Sequence, residues 1–129
     1  MAKIVVVSSS FLQLQILEKC LGGIGHNVVC YTSAVELEHK IATASPDLVL
    51  MDVTFSGGNG FQTCCELRKS FRFESLPIIL CGERGEENLK VWAKGKGVSE
   101  YLVKPLEASK LLATIASHLP ARHLARAQP

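Results

Sequence analysis

Leu48-Val49-Leu50-Met51-Asp52 decides the fold: four consecutive apolar residues that end in a carboxylate. A strand exposed on one face alternates apolar with polar residues, whereas an unbroken apolar run suits a strand covered on both faces. The residues ahead of it, Ser45-Pro46-Asp47, form a turn. The residues behind it, Ser56-Gly57-Gly58-Asn59-Gly60, form a glycine-rich loop leading into a helix from about Phe61 to Lys69. Asp52 therefore sits at the carboxyl end of a buried strand.

The same rhythm extends in both directions. Upstream, Ile4-Val5-Val6-Val7 is a second continuous β-branched run. Leu14, Leu17, Leu21 and Ile24 then recur at three and four residues as a helix stripe, which Gly22, Gly23 and Gly25 end. Val28-Val29-Cys30-Tyr31 is a short strand, and Ser33 is expected to cap a helix carrying Val35, Leu37 and Ile41. Downstream, Pro77 opens the strand Ile78-Ile79-Leu80-Cys81, and a helix from about Glu86 to Lys94 carries Leu89 and Trp92 and stops at Gly95 and Gly97. Tyr101-Leu102-Val103 is the fifth strand. The last helix starts near Glu107 and packs Leu111, Leu112, Ile115 and Leu119. Strands alternating with helices give an α/β fold of parallel β-α-β units, with right-handed crossovers and helices on both faces of one sheet.

With 129 residues, nearly half of them apolar, the chain fills one core. The expected division is one domain over 1–120 and a tail, or the start of a linker, over 121–129. A net charge of +2 is too small to argue for nucleic acid, and no helix-turn-helix segment is evident. No run approaches the roughly 20 apolar residues that span a bilayer, and no secretory signal opens the chain. Cys20, Cys30, Cys64, Cys65 and Cys81 fit neither zinc-ligand nor secreted-scaffold spacing, so they are expected to be reduced thiols, most of them buried, in a cytoplasmic protein. His26, His39, His118 and His123 are scattered and read as surface or loop residues.

In open parallel sheets, sites form beyond the carboxyl ends of the strands. That edge collects Ser8, Ser9 and Ser10 from the first strand, Asp52 and Thr54 from the third, Cys81 and Gly82 from the fourth, and Lys104 and Pro105 from the fifth. Lys104 is the one cation placed to face Asp52. Such a pair is either functional or a plain structural ion pair.

Asp52, the loop Gly57-Gly58-Asn59-Gly60-Phe61 and the segment Tyr101-Leu102-Val103-Lys104-Pro105 resemble the receiver domains of two-component response regulators, from Lys3 to about Leu119. The resemblance implies a flavodoxin-like (βα)5 sandwich with strand order 2-1-3-4-5. It implies Asp52 as phosphoacceptor, and Lys104, Thr54 and the residue at Gly82 around the phosphoryl group. It further implies Tyr101 as a switch aromatic, a cis Lys104-Pro105 bond, and a histidine kinase or downstream effector as partner.

Two departures stand out. The acidic pair that holds Mg²⁺ in such domains is replaced by Ser8 and Ser9. Each missing carboxylate removes attraction on the order of 4 kcal/mol at an effective dielectric near 20, so no metal ligand set and no organic cofactor are expected, and Mg²⁺ binding should be weak. The hydroxyl residue that usually ends the fourth strand is replaced by Gly82, or by Cys81 if the count slips by one. The expectation is a pseudo-receiver, not an enzyme, that works by protein–protein contact. At most it would phosphorylate itself at Asp52 from a phosphodonor. Trp92, between Lys90 and Lys94 and near Tyr101, is the expected anchor of the output surface; alternatively the indole folds down over the core rim. Two alternatives stay open. One is a phosphorylatable response regulator using Asp52. The other is a flavodoxin-like flavin- or nucleotide-binding protein whose serines hold a phosphate at the first helix, although Ser8 to Ser10 also suit simple helix capping.

Overall fold

The computed structural model describes residues 1–120; the tail expected over 121–129 lies outside the described residues. Five strands form one parallel sheet: β1 (Lys3–Val7), β2 (Asn27–Tyr31), β3 (Leu48–Asp52), β4 (Ile78–Gly82) and β5 (Glu100–Val103). Five helices connect and follow them: α1 (Phe11–Gly22), α2 (Leu37–Ala44), α3 (Gly60–Arg68), α4 (Glu87–Gly95) and α5 (Ala108–His118). The strand order is β2-β1-β3-β4-β5. This is the flavodoxin-like arrangement that the sequence resemblance implies.

Strand alternation sorts the core into two layers. Val5, Val7, Val49, Met51, Ile78 and Leu80 face α2, α3 and α4, meeting Leu37, Ile41, Cys64, Leu67 and Ala93. Ile4, Val6, Leu48, Leu50, Ile79 and Cys81 face the other way, onto Leu14, Leu17 and Leu21 of α1 and Leu111 and Ile115 of α5. Both faces of the β1 and β3 runs are therefore covered, which is why those runs need no polar alternation.

Several local expectations change. Ser33 does not cap α2: its hydroxyl accepts from the Val35 N–H in a turn. Val35 is exposed, and α2 begins at Leu37 behind Glu36, whose φ of 49° lies in the left-handed region. Ile24 falls beyond the end of α1 and is exposed, because the chain turns at Gly25 with φ 93°. The glycine-rich loop folds into a two-residue hairpin, Thr54–Phe55 against Gly58–Asn59, turning at Gly57 with φ 73°. A short 3-10 turn, Phe71–Phe73, precedes β4. Only Cys64 and Cys81 are fully buried; the other three cysteines are partly exposed, and all five are free thiols.

Candidate functional site

The carboxyl ends of β1, β3, β4 and β5 converge on Asp52. Register places Asp52 opposite Cys81 on β4, and the Lys104 N–H donates to the Gly82 carbonyl at 2.8 Å, carrying β5 into the loop where Lys104 sits. The Lys104-Pro105 bond is cis. The Lys104 ammonium meets Asp52 Oδ1 at 2.9 Å, with the aspartate side chain 6% exposed and the lysine side chain 25%. A carboxylate this deeply buried needs both charge and hydrogen-bond partners.

The second partner is one that the sequence reading missed. Gln13, one turn into α1, donates from Nε2 to Asp52 Oδ1 at 2.8 Å and to Ser8 Oγ at 3.3 Å. The carboxylate can only accept, so the amide nitrogen and not its oxygen must face it. Ser8 is fully buried, and its hydroxyl also accepts from the Ser10 N–H at 3.1 Å. Ser10 caps α1 by accepting from the Gln13 N–H at 3.2 Å, while Ser9 is exposed. Of the three serines, one caps the helix, one props the glutamine against Asp52, and one faces outward. No local signal in the sequence marks Gln13: it follows the capping Ser10 by three residues on a helix whose buried stripe is Leu14, Leu17 and Leu21.

Beyond Asp52 lies an open cleft of about 380 Å³, bordered by Thr54, Asn59, Gly82, Arg84, Tyr101 and Lys104. Thr54 is exposed on the hairpin. Asn59 accepts from the Gln62 N–H and so caps α3. Arg84 is drawn off to Glu86, at 3.1 Å. Cys81 lies under the site; burial, followed by the nearby Asp52 charge, pushes its thiol up to about 12, so it stays protonated at neutral pH. Gly60 is held against β3: its N–H donates to the Val53 carbonyl, and a Cβ there would lie 2.5 Å from the Asp52 carbonyl oxygen. This close approach is what requires glycine at the start of α3.

This constellation matches a known family, whose "Response regulator receiver domain" pattern covers residues 4–116. The chain belongs to the response regulator receiver domain family. It is 34% identical over 115 residues to Protein PilH of Pseudomonas aeruginosa, covering 89% of this chain and 95% of that protein. Among solved structures, the chemotaxis response regulator CheY4 of Vibrio cholerae superposes with a TM-score of 0.85 at 26% identity, covering 92% of this chain and 99% of that one. The BeF3-activated N-terminal receiver domain of Klebsiella pneumoniae RstA superposes with a TM-score of 0.81 at 28% identity, covering 90% and 97%. The chain is thus a receiver domain of the two-component response-regulator type.

The expected output surface is only partly as read. Trp92 is 48% exposed, with Phe61 edge-on to the indole at 5.0 Å and Tyr101 stacked on Phe61 at 6.3 Å. The indole therefore rests against the core rim while remaining about half exposed. Lys96, and neither Lys90 nor Lys94, lies over the ring, at 5.7 Å; Lys94 pairs with Glu100 at 3.7 Å, and Lys90 is partly buried. Of the histidines, His39 is exposed, His26 accepts from the Ala2 N–H, and His118 meets Glu100; His123 lies outside the described residues. Among the described residues, no helix is long and apolar enough to cross a membrane.

Proposed function

We propose that this receiver domain is a cytoplasmic protein-recognition module with little or no Mg²⁺-dependent phosphorylation. Its partners are signalling proteins, a histidine kinase or a downstream effector, and neither nucleic acid nor membrane is among them. The observation that carries this reading is the occupancy of Asp52 Oδ1 by both the Lys104 ammonium and the Gln13 amide.

The donor set beside Asp52 does not fit Mg²⁺. A hard divalent cation needs several anionic or carbonyl oxygens in near-octahedral array. Ser8 and Ser9 bring no charge, and the Ser8 oxygen already accepts two hydrogen bonds. The Gln13 amide points N–H groups, not an oxygen, into the space, and Asp47 lies at the far end of β3, where it accepts from the Lys3 N–H. Among the described residues, no three His, Cys, Asp or Glu side chains gather in a metal-holding group. Phosphoryl transfer depends on charge neutralisation and positioning, and among the described residues Lys104 is the one cation in contact with Asp52.

A second reading, phosphorylation at Asp52, draws support from the open cleft between Thr54, Gly82 and Lys104. A flavin or nucleotide phosphate ahead of α1 is disfavoured, because the Ser8 and Ser10 hydroxyls are already engaged by the Ser10 and Gln13 N–H groups, and the Asp52 carboxylate beside them would repel an anion. Intact-mass analysis after incubation with acetyl phosphate and Mg²⁺, beside an Asp52→Asn control, tests the proposal. No adduct is expected; an adduct that disappears in the control establishes the second reading instead.

A further inference from the structure

The space that a side chain at residue 82 would fill is occupied by the ring of Tyr101. A Cβ built on Gly82 would overlap the Tyr101 hydroxyl oxygen and lie 3.0 Å from its Cζ and 2.9 Å from Val53 Cγ2. Carbon atoms of packed side chains optimally sit about 3.5–4.0 Å apart, so neither contact is tolerable without movement. Tyr101 is 5% exposed and belongs to the core layer shared with Leu80 and Ala93. It stacks nearly parallel on Phe61, at 8°, and Phe61 in turn supports Trp92. The chain of contact therefore runs Gly82, Tyr101, Phe61, Trp92, from the site edge to the half-exposed indole on α4.

We infer that the missing side chain at position 82 seats Tyr101 permanently in the sheet edge, and so holds the Trp92 face in one arrangement whatever the charge state of Asp52. The physical reason is steric. With glycine at 82, no side chain there can follow the carboxylate and admit or expel the ring; the hydroxyl fills the vacancy and the ring is fixed by Phe61. The polar contacts of the Asp52 carboxylate run to Gln13 and Lys104, and none of them runs to the Tyr101 hydroxyl. The inference rests on the reading of this domain as a recognition module with little or no phosphorylation at Asp52, but the two fail separately. A phosphoryl adduct on Asp52 would overturn that reading and leave the seat of Tyr101 intact; an exposed Tyr101 would do the reverse.

The chain has two tyrosines, so 3-fluorotyrosine incorporated in a Tyr31→Phe background reports Tyr101 alone by ¹⁹F NMR. The expected result is one resonance with almost no H₂O/D₂O isotope shift. Asp52→Asn leaves both position and isotope shift unchanged, while Gly82→Ser gives a resonance with the isotope shift of an exposed tyrosine. A solvent-exposed or doubled resonance in the parent protein, or an Asp52→Asn variant that exposes the ring, overturns the inference. Should Gly82→Ser fail to fold, Gly82→Ala measured with and without Tyr101→Phe decides the matter. Removing the hydroxyl should restore part of the urea midpoint that Gly82→Ala loses; an equal loss in both backgrounds overturns the steric seat.

Discussion

Replacing Lys104 by methionine at neutral pH leaves the stem of the side chain and removes the ammonium 2.9 Å from Asp52 Oδ1, a gross attraction of about 6 kcal/mol at an effective dielectric near 20. The net loss is smaller, because both ions were desolvated to make the pair. Breaking a fully buried pair by removing one partner costs roughly 3–5 kcal/mol, chiefly from the charge left behind. Two features reduce that here: the lysine side chain is a quarter exposed, and the Gln13 amide still donates to the same oxygen. We expect Lys104→Met to cost about 2–3 kcal/mol. Asp52→Asn leaves an ammonium that can swing into water, and should cost about 1 kcal/mol or less. The double variant should be more stable than Lys104→Met alone, with a coupling energy of about 1–3 kcal/mol. Urea unfolding of the four proteins measures this, repeated in 1 M salt, where a buried pair is screened far less than an exposed one. Additivity within about 0.5 kcal/mol, or a coupling that vanishes in salt, refutes the claim that Lys104 neutralises a buried carboxylate.

Other consequences can be checked with the same melts. Gly60→Ala forces a methyl to within 2.5 Å of the Asp52 carbonyl oxygen and 3.2 Å of Leu80 Cδ2, and should cost about 2–3 kcal/mol by overpacking; a neutral result refutes that close approach. The Arg68 guanidinium donates to the Gly97, Phe73 and Leu76 carbonyls at 2.9, 2.7 and 2.6 Å, tying α3 to the segments on either side of β4. Arg68→Met should lose about 2–4 kcal/mol, and a loss below about 0.5 kcal/mol refutes the tie. The Cys81 thiol is raised to about 12 in the fold, so its contribution is complete below the ordinary thiol value near 9 and fades as pH climbs from there to about 12. At about 1.4 kcal/mol per pH unit, the fold loses roughly 4 kcal/mol across that window, with Tyr101, raised mainly by burial, adding to the loss above about pH 10. Cys81→Ala should flatten this alkaline limb, and an unchanged limb refutes the assignment.

The sheet was legible because burial on both faces leaves a coarse trace: Ile4 to Val7 and Leu48 to Met51 cannot be read as half-exposed strands. Asp52 and Lys104 were legible for a related reason, since a charged residue directly after such a run can only lie at the sheet edge. Gln13 was not. It is a polar residue on a helix whose stripe is defined by Leu14, Leu17 and Leu21, and nothing local distinguishes a glutamine that reaches across to another strand from one facing solvent. The α2 start was misjudged because Ser33 has the chemistry of a cap, yet its hydroxyl is satisfied two residues on, at Val35, and the chain reaches the helix through a left-handed Glu36. Lys90 and Lys94 stand two residues either side of Trp92, a spacing that on a helix does not bring side chains together, and the ammonium over the indole is that of Lys96, from beyond the helix end.

The pairing of Asp52 with Lys104 beside Ser8 and Ser9 has a physical account that needs no phosphoryl group. Once the ground beside Asp52 is neutral, the carboxylate and ammonium stabilise each other's burial. Loss of the ammonium alone strands a charge that is 6% exposed, whereas a matched apolar replacement of both is close to neutral. Removing one partner therefore costs more than removing both, a stabilising role for the pair that is independent of any phosphoryl chemistry. Gln13 strengthens the point: a donor on Asp52 Oδ1 supplies part of what a cation would, without the charge that would attract a phosphodonor. Gly82 acts at the opposite side, where the cost of a side chain falls on Tyr101 and not on Asp52. The Ser8–Gln13–Asp52 contacts and the Gly82–Tyr101 contact are thus separate, one at the carboxylate and the other at the ring packed towards Trp92, and a change at either can leave the other in place.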